Sequence, residues 1–252
     1  MTTETALAER VAIACRVLAR LELTKAATGH VSARVPGRDT MLIRARGPEE
    51  KGVRYTSHEE VIEVDFDGKV IGESADGLLP PQEVFIHTEI YKSKPDVYSV
   101  IHMHPPTVLL FTICCKPLLP LYGAYDPSSA RLAIQGMPTY PRSVLINTPH
   151  LGQQLVHTLG DSNICLMRGH GVTTTGHNIE EAAVTIIRLN ELATINYQCQ
   201  MLGDPQPIDK EDQKAILEMK SNKRPISHGE PPHGNDAAIW RYYCELTDSY
   251  ER

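Results

Sequence analysis

Apolar residues recur at the three- and four-residue spacing of an amphipathic helix in three segments of the chain. The first segment covers residues 4–23 and the longest covers residues 178–202. Asn178 suits the N-cap of the longest helix, because its side chain can accept a hydrogen bond from an N–H of the first turn. The third segment, residues 81–96, begins with Pro81, a residue favoured in the first turn of a helix.

Between these helices, short apolar runs and alternating apolar positions predict β-strands. The strand segments are 29–37, 41–47, 97–104, 143–148 and 164–176, and residues 61–72 form a hairpin that turns at Asp67 and Gly68. Helices and strands alternate without the regular rhythm of a doubly wound sheet. The chain also lacks the glycine-rich patterns that bind nucleotides. The pattern therefore predicts a mixed α/β protein without a nucleotide site.

The composition of the chain argues against nucleic acid and membranes as binding partners. The chain has 252 residues, of which 41% are hydrophobic and 22% charged, with a net charge of −6. This composition is typical of a globular protein and gives no basis for binding nucleic acid. There is no membrane-length apolar run and no signal-peptide pattern, so we expect a cytoplasmic protein without a membrane partner. The six cysteines are scattered, which predicts mostly buried free thiols.

The stretch VIHMHPP, residues 100–106, places two histidines on a predicted strand. Side chains two residues apart on a strand point to the same face, so His102 and His104 form a two-point metal site. The alternative is a pair of histidines held by hydrogen bonds in the core or at the strand end. A third histidine, His170 in RGHG, lies between glycines that allow a tight turn and a close approach to another element. The same RGHG pattern also fits a simple hairpin turn.

Glu83 opens the helix that precedes the histidine strand. It is a candidate metal ligand or general base, although a first-turn glutamate also suits the helix dipole. Three imidazoles with a carboxylate match a catalytic metal site that keeps an open position. If His170 and Glu83 approach the histidine pair, His102, His104, His170 and Glu83 would hold one divalent ion per subunit, and three imidazoles with a carboxylate accept Zn, Mn, Fe or Co.

The motifs GHVSAR, LLPPQE, VIHMH and RGHGV, in this order, resemble the class II aldolase/adducin family. The resemblance extends from the first helix to the end of the longest one. It implies a single-domain α/β/α sandwich around a mainly antiparallel sheet, in a homo-oligomer (tetramer or higher) with active sites at subunit interfaces. By motif, it places the metal on His102, His104 and His170, and it gives Glu83 an acid/base role at the metal.

The resemblance also divides the chain. Residues 1–205 would form the catalytic domain, and residues 206–252 a tail that packs on the same domain or on a neighbouring subunit. The tail is predicted to end in a short aromatic helix at residues 237–250. One of its tyrosines, Tyr242 or Tyr243, would reach a neighbouring site, as tail residues do in the aldolases.

Two motifs depart from the sugar-phosphate aldolases of the family. Those enzymes hold phosphate with a Gly-Asn pair and a Ser-Ser pair, where this chain has Gly29-His30 and Pro81-Gln82. Because Pro81 has neither a hydroxyl nor an N–H, the phosphate site is dismantled. Arg44 and Arg46 lie between the motifs, and arginine suits forked recognition of a carboxylate. The alternative for these arginines is ion pairing with nearby glutamates, namely Glu49, Glu50 or Glu59.

These departures resemble the decarboxylase branch of the family, which acts on hydroxylated aromatic or pyridine dicarboxylates such as dihydroxyphthalate. The resemblance implies a small aromatic carboxylate substrate, with Glu83 as proton donor or relay. His30, Arg44, Arg46 and Gln82 would bind this substrate, and Tyr125 or its neighbour Tyr122 would supply a hydroxyl. The competing functions are a sugar-phosphate aldolase or epimerase, an iron-dependent oxygenase, and a non-catalytic assembly module like the adducin head.

Overall fold

The computed structural model describes residues 3–72, 77–123, 125–219 and 234–248. These residues form eight helices, seven strands and two short 3-10 turns, at Val53–Tyr55 and His58–Glu60. The helices are α1 (Thr3–Arg20), α2 (Val84–Ser93), α3 (Pro106–Ile113), α4 (Pro127–Gln135), α5 (Pro149–Leu159), α6 (Ile179–Leu202), α7 (Lys210–Glu218) and α8 (Asn235–Asp248). The strands are β1 (His30–Arg34), β2 (Thr40–Arg44), β3 (Val61–Asp65), β4 (Ser99–Met103), β5 (Thr139–Tyr140), β6 (Ile164–Met167) and β7 (Gly171–Gly176). Within these ranges, no helix is long and apolar enough to cross a membrane.

The seven strands form one sheet in the order β3-β2-β1-β4-β7-β6-β5. Every neighbouring pair is antiparallel except β5 and β6, which are parallel. The strand that carries His102, β4, therefore lies at the centre of the sheet between β1 and β7. This mainly antiparallel sheet is the one that the resemblance implied.

Apolar side chains on the two faces of the sheet pack into two separate cores. Ile101 and Met103 of β4 belong to the core shared with α1 and α6, whereas Val100 belongs to the core shared with α2 and α5. Burying each such side chain contributes roughly 1.5–3 kcal/mol, so both faces must be covered by helices. Because strand side chains alternate, His102 shares the face of Val100 and points towards α2. The predicted α/β/α sandwich is confirmed.

The three predicted long helices are present. α1 ends three residues earlier than predicted, α2 is shorter at both ends, and α6 begins directly after Asn178. The Asn178 side chain accepts a hydrogen bond from the N–H of Glu181 at 2.8 Å, so Asn178 is the N-cap that the sequence predicts. The pattern did not predict α3, α4, α5 and α7, which have 8 to 11 residues.

One predicted strand is wrong. Residues 143–148 are not a strand, and the edge strand is Thr139–Tyr140. Pro141 has no N–H with which to extend the ladder. The N–H of Ile146 donates to the carboxylate of Glu83 at 2.9 Å, so it cannot pair with a strand. The segment therefore leaves the sheet as a loop that reaches Glu83.

The predicted hairpin is present as a turn after β3. Gly68 has a φ of 86°, a conformation that favours glycine, and the Asp65 carboxylate accepts hydrogen bonds from the N–H groups of Asp67 and Lys69. The returning segment pairs with β3 only at one bridge, between Val64 and Val70. The turn is therefore as predicted, but the second strand of the hairpin is not formed.

The C-terminal helices pack on the rest of the same chain. Arg188 of α6 lies 2.9 Å from a carboxylate oxygen of Asp236 on α8 and 4.0 Å from Asp126 before α4. Tyr243 of α8 donates a hydrogen bond to the carboxylate of Glu191 on α6. α8 covers most of the predicted aromatic helix, whose last two residues lie outside the described residues. The division of the chain at residue 205 stays a prediction.

The cysteines differ from the expectation. All six are free thiols, but only Cys15 and Cys165 are buried. Cys114 and Cys115 are exposed, because they follow the end of α3 in a turn where Cys115 has a φ of 51°. The expectation of mostly buried thiols was therefore wrong.

Candidate functional site

The carboxylate of Glu83 is directed away from the helix that it precedes. Glu83 occupies the N-cap position of α2, but its side chain makes no capping hydrogen bond. One carboxylate oxygen, Oε1, accepts the N–H of Ile146 at 2.9 Å. The other, Oε2, lies 3.3 Å from Nε2 of His170 and 3.6 Å from Nε2 of His102. Glu83 therefore does not cap the helix. Its carboxylate instead contacts the two histidines and the N–H of Ile146.

His102 and His104 come together where β4 ends. His102 is fully buried on the strand, and His104 follows the strand with its N–H donating to the carbonyl of Leu23 at 3.0 Å. Their Nε2 atoms are 3.0 Å apart and their rings are nearly perpendicular. Two imidazole nitrogens thus converge on one point, as the two-residue spacing predicts.

The glycines around His170 allow β7 to approach this histidine pair. Gly169 has a φ of 59°, which turns the chain between β6 and β7. A Cβ atom on Gly171 would lie 2.6 Å from Cδ2 of His104 and 2.9 Å from Cε1 of His102, too close for any side chain. Both properties that the sequence analysis expected of these glycines, a tight turn and a close approach, are present.

Four ligand atoms meet in this site, which we call the histidine-glutamate cluster: Glu83, His102, His104 and His170. The atoms all lie within 4.8 Å of one another. Burial lowers the pKa of His102 well below its ordinary value and also lowers that of His104, so both rings are neutral and keep a lone pair. Nδ1 of His102 lies 3.3 Å from the hydroxyl of Thr173, and a hydrogen at Nδ1 leaves the lone pair on Nε2, inside the cluster. The donor set therefore fits a divalent cation.

The Glu83 carboxyl is ionised in the cluster. Burial by itself raises the pKa of this carboxyl, but the hydrogen bond from His170, the electrostatic interaction with the nearby rings of His102 and His170, and the Ile146 N–H lower it to about 2. At neutral pH Glu83 is thus an acceptor for hydrogen bonds, a metal or a proton.

The family to which the chain belongs follows from its sequence. Residues 9–197 match the family described as Class II Aldolase and Adducin N-terminal domain. The chain belongs to this family. The prediction from the four motifs is thereby confirmed.

Its relatives include decarboxylases. The 3,4-dihydroxyphthalate decarboxylase of Arthrobacter keyseri is 37% identical over 197 residues, which cover 77% of this chain and 79% of that protein. The enzyme of the same name from Terrabacter sp. (strain DBF63) is 35% identical over 235 residues, 92% of this chain and 93% of that protein. A crystal structure of an aldolase II superfamily protein from Pseudomonas syringae has a TM-score of 0.81 at 21% identity, covering 99% of this chain and 95% of that chain. This last likeness shows the shared fold.

In this class II aldolase/adducin protein, His30 lies next to the histidine-glutamate cluster. It is the cross-strand partner of His102, and the two ring centroids are 5.2 Å apart. Gln82 is exposed and directly precedes Glu83. Arg46 is exposed, and its Nε donates to the carbonyl of Pro80 at 2.9 Å. These three residues thus lie beside the cluster or beside the segment that leads to Glu83.

Arg44 makes the ion pair that the sequence analysis held as the alternative. Its guanidinium pairs with the carboxylate of Glu50 and donates to the carbonyl of Ala27 at 3.2 Å. Ser32 pairs with Ile43, so Arg44 faces the other side of the sheet from Ser32. Arg44 is only 3% exposed, which makes this a buried pair and leaves its guanidinium away from the histidine-glutamate cluster.

Within one chain, the tyrosines proposed for the site make their described contacts with residues outside the histidine-glutamate cluster. Tyr125 is 79% exposed and its ring stacks on that of Tyr122 at 4.7 Å. Tyr242 is 61% exposed, and Tyr243 is hydrogen-bonded to Glu191. A catalytic role for any of them would require a neighbouring subunit and stays a prediction.

Sequence reasoning missed several groups that hold the site. The Ile146 N–H carries no signal, because a loop N–H cannot be assigned a partner from the residue type. Thr173 behind His102 could have been found, since it faces His102 across β4 and β7 in a run of threonines. His87 lies one helical turn after Glu83, but local spacing gives no sign that its ring contacts His30.

Because several histidines are buried as neutral rings, we expect the free energy of unfolding to fall in mild acid. Burial lowers the pKa of His87 from 6.5 to about 3, and that of His30 and His102 in the same direction. Below pH 6.5 the unfolded chain therefore binds protons that the folded chain does not, so stability is lost as pH falls. Each such histidine contributes a slope of up to about 1.4 kcal/mol per pH unit.

Urea unfolding of metal-free protein at pH 7.5, 6.5 and 5.5 checks this expectation. The variant His87→Gln lacks one of these groups, so its stability should fall less steeply below pH 6.5. Equal slopes for the two proteins would contradict the assignment of His87 as a neutral buried ring.

Proposed function

We propose that this protein is a metal-dependent, non-oxidative decarboxylase of a hydroxylated aromatic dicarboxylate, with 3,4-dihydroxyphthalate as the substrate to test. The observation that carries the proposal is the identity of 34–37%, over most of the chain, to proteins named 3,4-dihydroxyphthalate decarboxylase. The convergence of an ionised carboxylate with three imidazoles supports it, because decarboxylation of a ring needs an electrophile and a proton carrier in one place.

The metal would be held by His102, His104 and His170, with Glu83 beside them or as a fourth ligand. When bound, the ion supplies Lewis-acid polarisation of substrate oxygens. Since only one of these four side chains is charged, the loaded site would keep net positive charge. A dianionic substrate is favoured by such a site.

Glu83 would act as a proton relay. Because its carboxyl is ionised, it must first accept a proton before it can donate one. We infer that it takes this proton from a ring hydroxyl and returns it to the ring carbon that bears the departing carboxylate. As carbon dioxide leaves, the electron pair of the broken C–C bond restores the aromatic ring. The phenolate oxygen then regains a proton from water, so one proton is consumed in each turnover.

The carboxylates of the substrate would be bound by His30, Arg46 and Gln82. Arg46 uses its Nε for Pro80, and its two terminal nitrogens have no hydrogen-bond partner within the described residues. Such a terminal pair suits a forked contact with a carboxylate. Arg44 would serve indirectly, by holding the segment of Glu50 against β2.

The direct test is release of carbon dioxide from 3,4-dihydroxyphthalate by the purified protein. The enzyme is loaded in parallel with Zn, Mn, Fe or Co, and 4,5-dihydroxyphthalate and phthalate are compared. We expect turnover of a dihydroxyphthalate and none of phthalate, which has no ring hydroxyl to give Glu83 a proton. Absence of carbon dioxide with both dihydroxyphthalates and all four metals would refute the proposal.

A sugar-phosphate aldolase is the competing function within the family. L-Fuculose phosphate aldolase of Escherichia coli (strain K12) is 25% identical over 214 residues. The present chain has Pro81 and the exposed Gln82 where hydroxyl groups would bind phosphate, so we expect no dihydroxyacetone phosphate from L-fuculose 1-phosphate. The homo-oligomer implied by the resemblance stays a prediction.

A further inference from the structure

We propose that His87 is a positioning residue that, together with Ser32 and Tyr91, fixes His30 as the tautomer with hydrogen on Nε2. His30 would then offer a neutral N–H donor to an anionic oxygen of the ligand beside the histidine-glutamate cluster. The tautomer assignment stands on the hydrogen-bond geometry alone. Its use towards a substrate carboxylate rests on the proposed function.

Four buried polar side chains form a continuous chain that leads to His30. Nδ1 of His30 lies 2.6 Å from Nε2 of His87, and Nδ1 of His87 lies 2.6 Å from the hydroxyl of Ser32. The Ser32 hydroxyl lies 2.8 Å from that of Tyr91. All four side chains are at most 5% exposed, so they depend on each other for hydrogen bonds.

The sequence spacing explains why these four groups meet. His30 and Ser32 are two residues apart on β1 and therefore share a face. His87 and Tyr91 are four residues apart on α2 and share one side of the helix. Glu83 lies a further four residues back, so the same side of α2 serves both the histidine-glutamate cluster and the chain to His30.

Hydrogen-bond distances decide the direction of this chain. The single hydrogen of the Ser32 hydroxyl has two acceptors besides Tyr91, which are Nδ1 of His87 at 2.6 Å and the carbonyl of Val100 at 3.4 Å. At 3.4 Å the Val100 carbonyl lies beyond the ordinary length of a hydroxyl hydrogen bond, about 2.5–3.0 Å, so we direct the Ser32 hydrogen to His87. Tyr91 in turn donates to Ser32, whose oxygen can accept while its own hydrogen is directed at His87.

The direction at Ser32 sets the tautomer of both histidines. An imidazole ring does not lose both of its hydrogens, so a ring with one accepting nitrogen carries its hydrogen on the other. With Nδ1 of His87 accepting from Ser32, the hydrogen of His87 is on Nε2 and is donated to Nδ1 of His30. The hydrogen of His30 must then be on its own Nε2.

A neutral N–H donor at His30 has a chemical use. The ring of His30 stands 5.2 Å from that of His102, and Nε2 is the nitrogen of His30 that the chain leaves unused. A neutral N–H can donate a hydrogen bond to a carboxylate oxygen without transferring its proton to that oxygen, as a protonated imidazole could. A lone pair at the same position would instead repel the carboxylate.

The tautomer is tested by neutron diffraction on the Zn-loaded, perdeuterated full-length protein. We expect deuterium on Nε2 of His30 and on Nε2 of His87, with both Nδ1 atoms bare. Deuterium on Nδ1 of His30 would overturn the assignment, whatever the activity of the enzyme. This readout does not depend on any variant or substrate.

The positioning role is tested by two variants of one residue. His87→Leu removes the donor to His30, and we expect its KM for 3,4-dihydroxyphthalate to rise about tenfold to a hundredfold with kcat little changed, as for a lost hydrogen bond to a charged group. His87→Gln keeps an amide N–H near the position of Nε2 and should restore KM to within about threefold of the parent. A structural role alone would not separate the two variants in this way.

Thr88→Val is the matched control. Thr88 is buried on the same helix, and its hydroxyl has no hydrogen-bond partner within the described residues. Its KM and zinc content should equal those of the parent. Equal KM values for His87→Leu and the parent, at equal zinc content, would overturn the positioning role. If the parent releases no carbon dioxide but carries deuterium on Nε2 of His30, the proposed function fails and the tautomer assignment stands.

Discussion

The variant His104→Ala is expected to lose the bound metal and to decarboxylate at least about a thousandfold more slowly, a loss of ~4 kcal/mol of transition-state stabilisation. The Nε2 atoms of His104 and His102 are 3.0 Å apart, so removing one imidazole leaves a single ligand on this strand. The fold should survive, because the hydrogen bond of residue 104 to Leu23 uses only the backbone.

Elemental analysis of the purified variant measures the expected loss of metal directly. Thermal unfolding gives an independent readout, since a ligand that binds only the folded state stabilises it. A chelator should lower the Tm of the parent protein and leave that of His104→Ala unchanged. The matched control is His157→Ala, which removes an exposed histidine of α5 and should keep both metal and activity. Unchanged metal content in His104→Ala would show that the ligand assignment is wrong.

The variant Glu83→Gln is expected to keep most of its metal and to lose about a thousandfold in kcat, within the range known for general acid–base groups. The amide has nearly the same shape as the carboxylate, and its oxygen can still accept the N–H of Ile146. It cannot, however, take up a proton from a ring hydroxyl and return it to the ring carbon. The loss should therefore fall on kcat more than on KM.

Glu89→Gln is the control for this second variant. Glu89 is also a buried glutamate of α2, but its carboxylate binds Lys92 and Gln153. Its conversion to glutamine should leave kcat unchanged, although it removes the ion pair between the buried Glu89 carboxylate and the exposed Lys92 and so lowers stability slightly. A kcat of Glu83→Gln within tenfold of the parent, with metal bound, would contradict the proton-relay role.

Much of the histidine-glutamate cluster could be predicted from local spacing. Alternation along a strand places His102 and His104 on one side, and this holds whatever the strand pairs with. The glycines beside His170 indicated a close approach, and a Cβ on Gly171 would indeed collide with both histidines. The order of the motifs also identified the family, which no single motif could do.

The substrate side of the site was harder to predict, because it depends on which face each residue takes. Arg44 and Arg46 have the same residue type and similar neighbours in sequence. Arg44 is buried with Glu50, whereas Arg46 is exposed beside Pro80. Two residues apart on one continuous strand, they would share a face. They differ because β2 ends at Arg44, whereas Arg46 pairs with Leu79 in an isolated bridge.

By itself, the sequence determined the helices with a long apolar period, the alternation that joins His102 to His104, and the membership of the class II aldolase/adducin family. These properties are local, or lie in the order of motifs along the chain. The tertiary structure alone decided that Ile146 holds Glu83 and that His87 holds His30. These contacts join residues that are 63 and 57 positions apart, and their existence depends on how helices and sheet pack rather than on any local period. Packing, and not spacing, therefore sets the hydrogen-bond donors that surround the histidine-glutamate cluster.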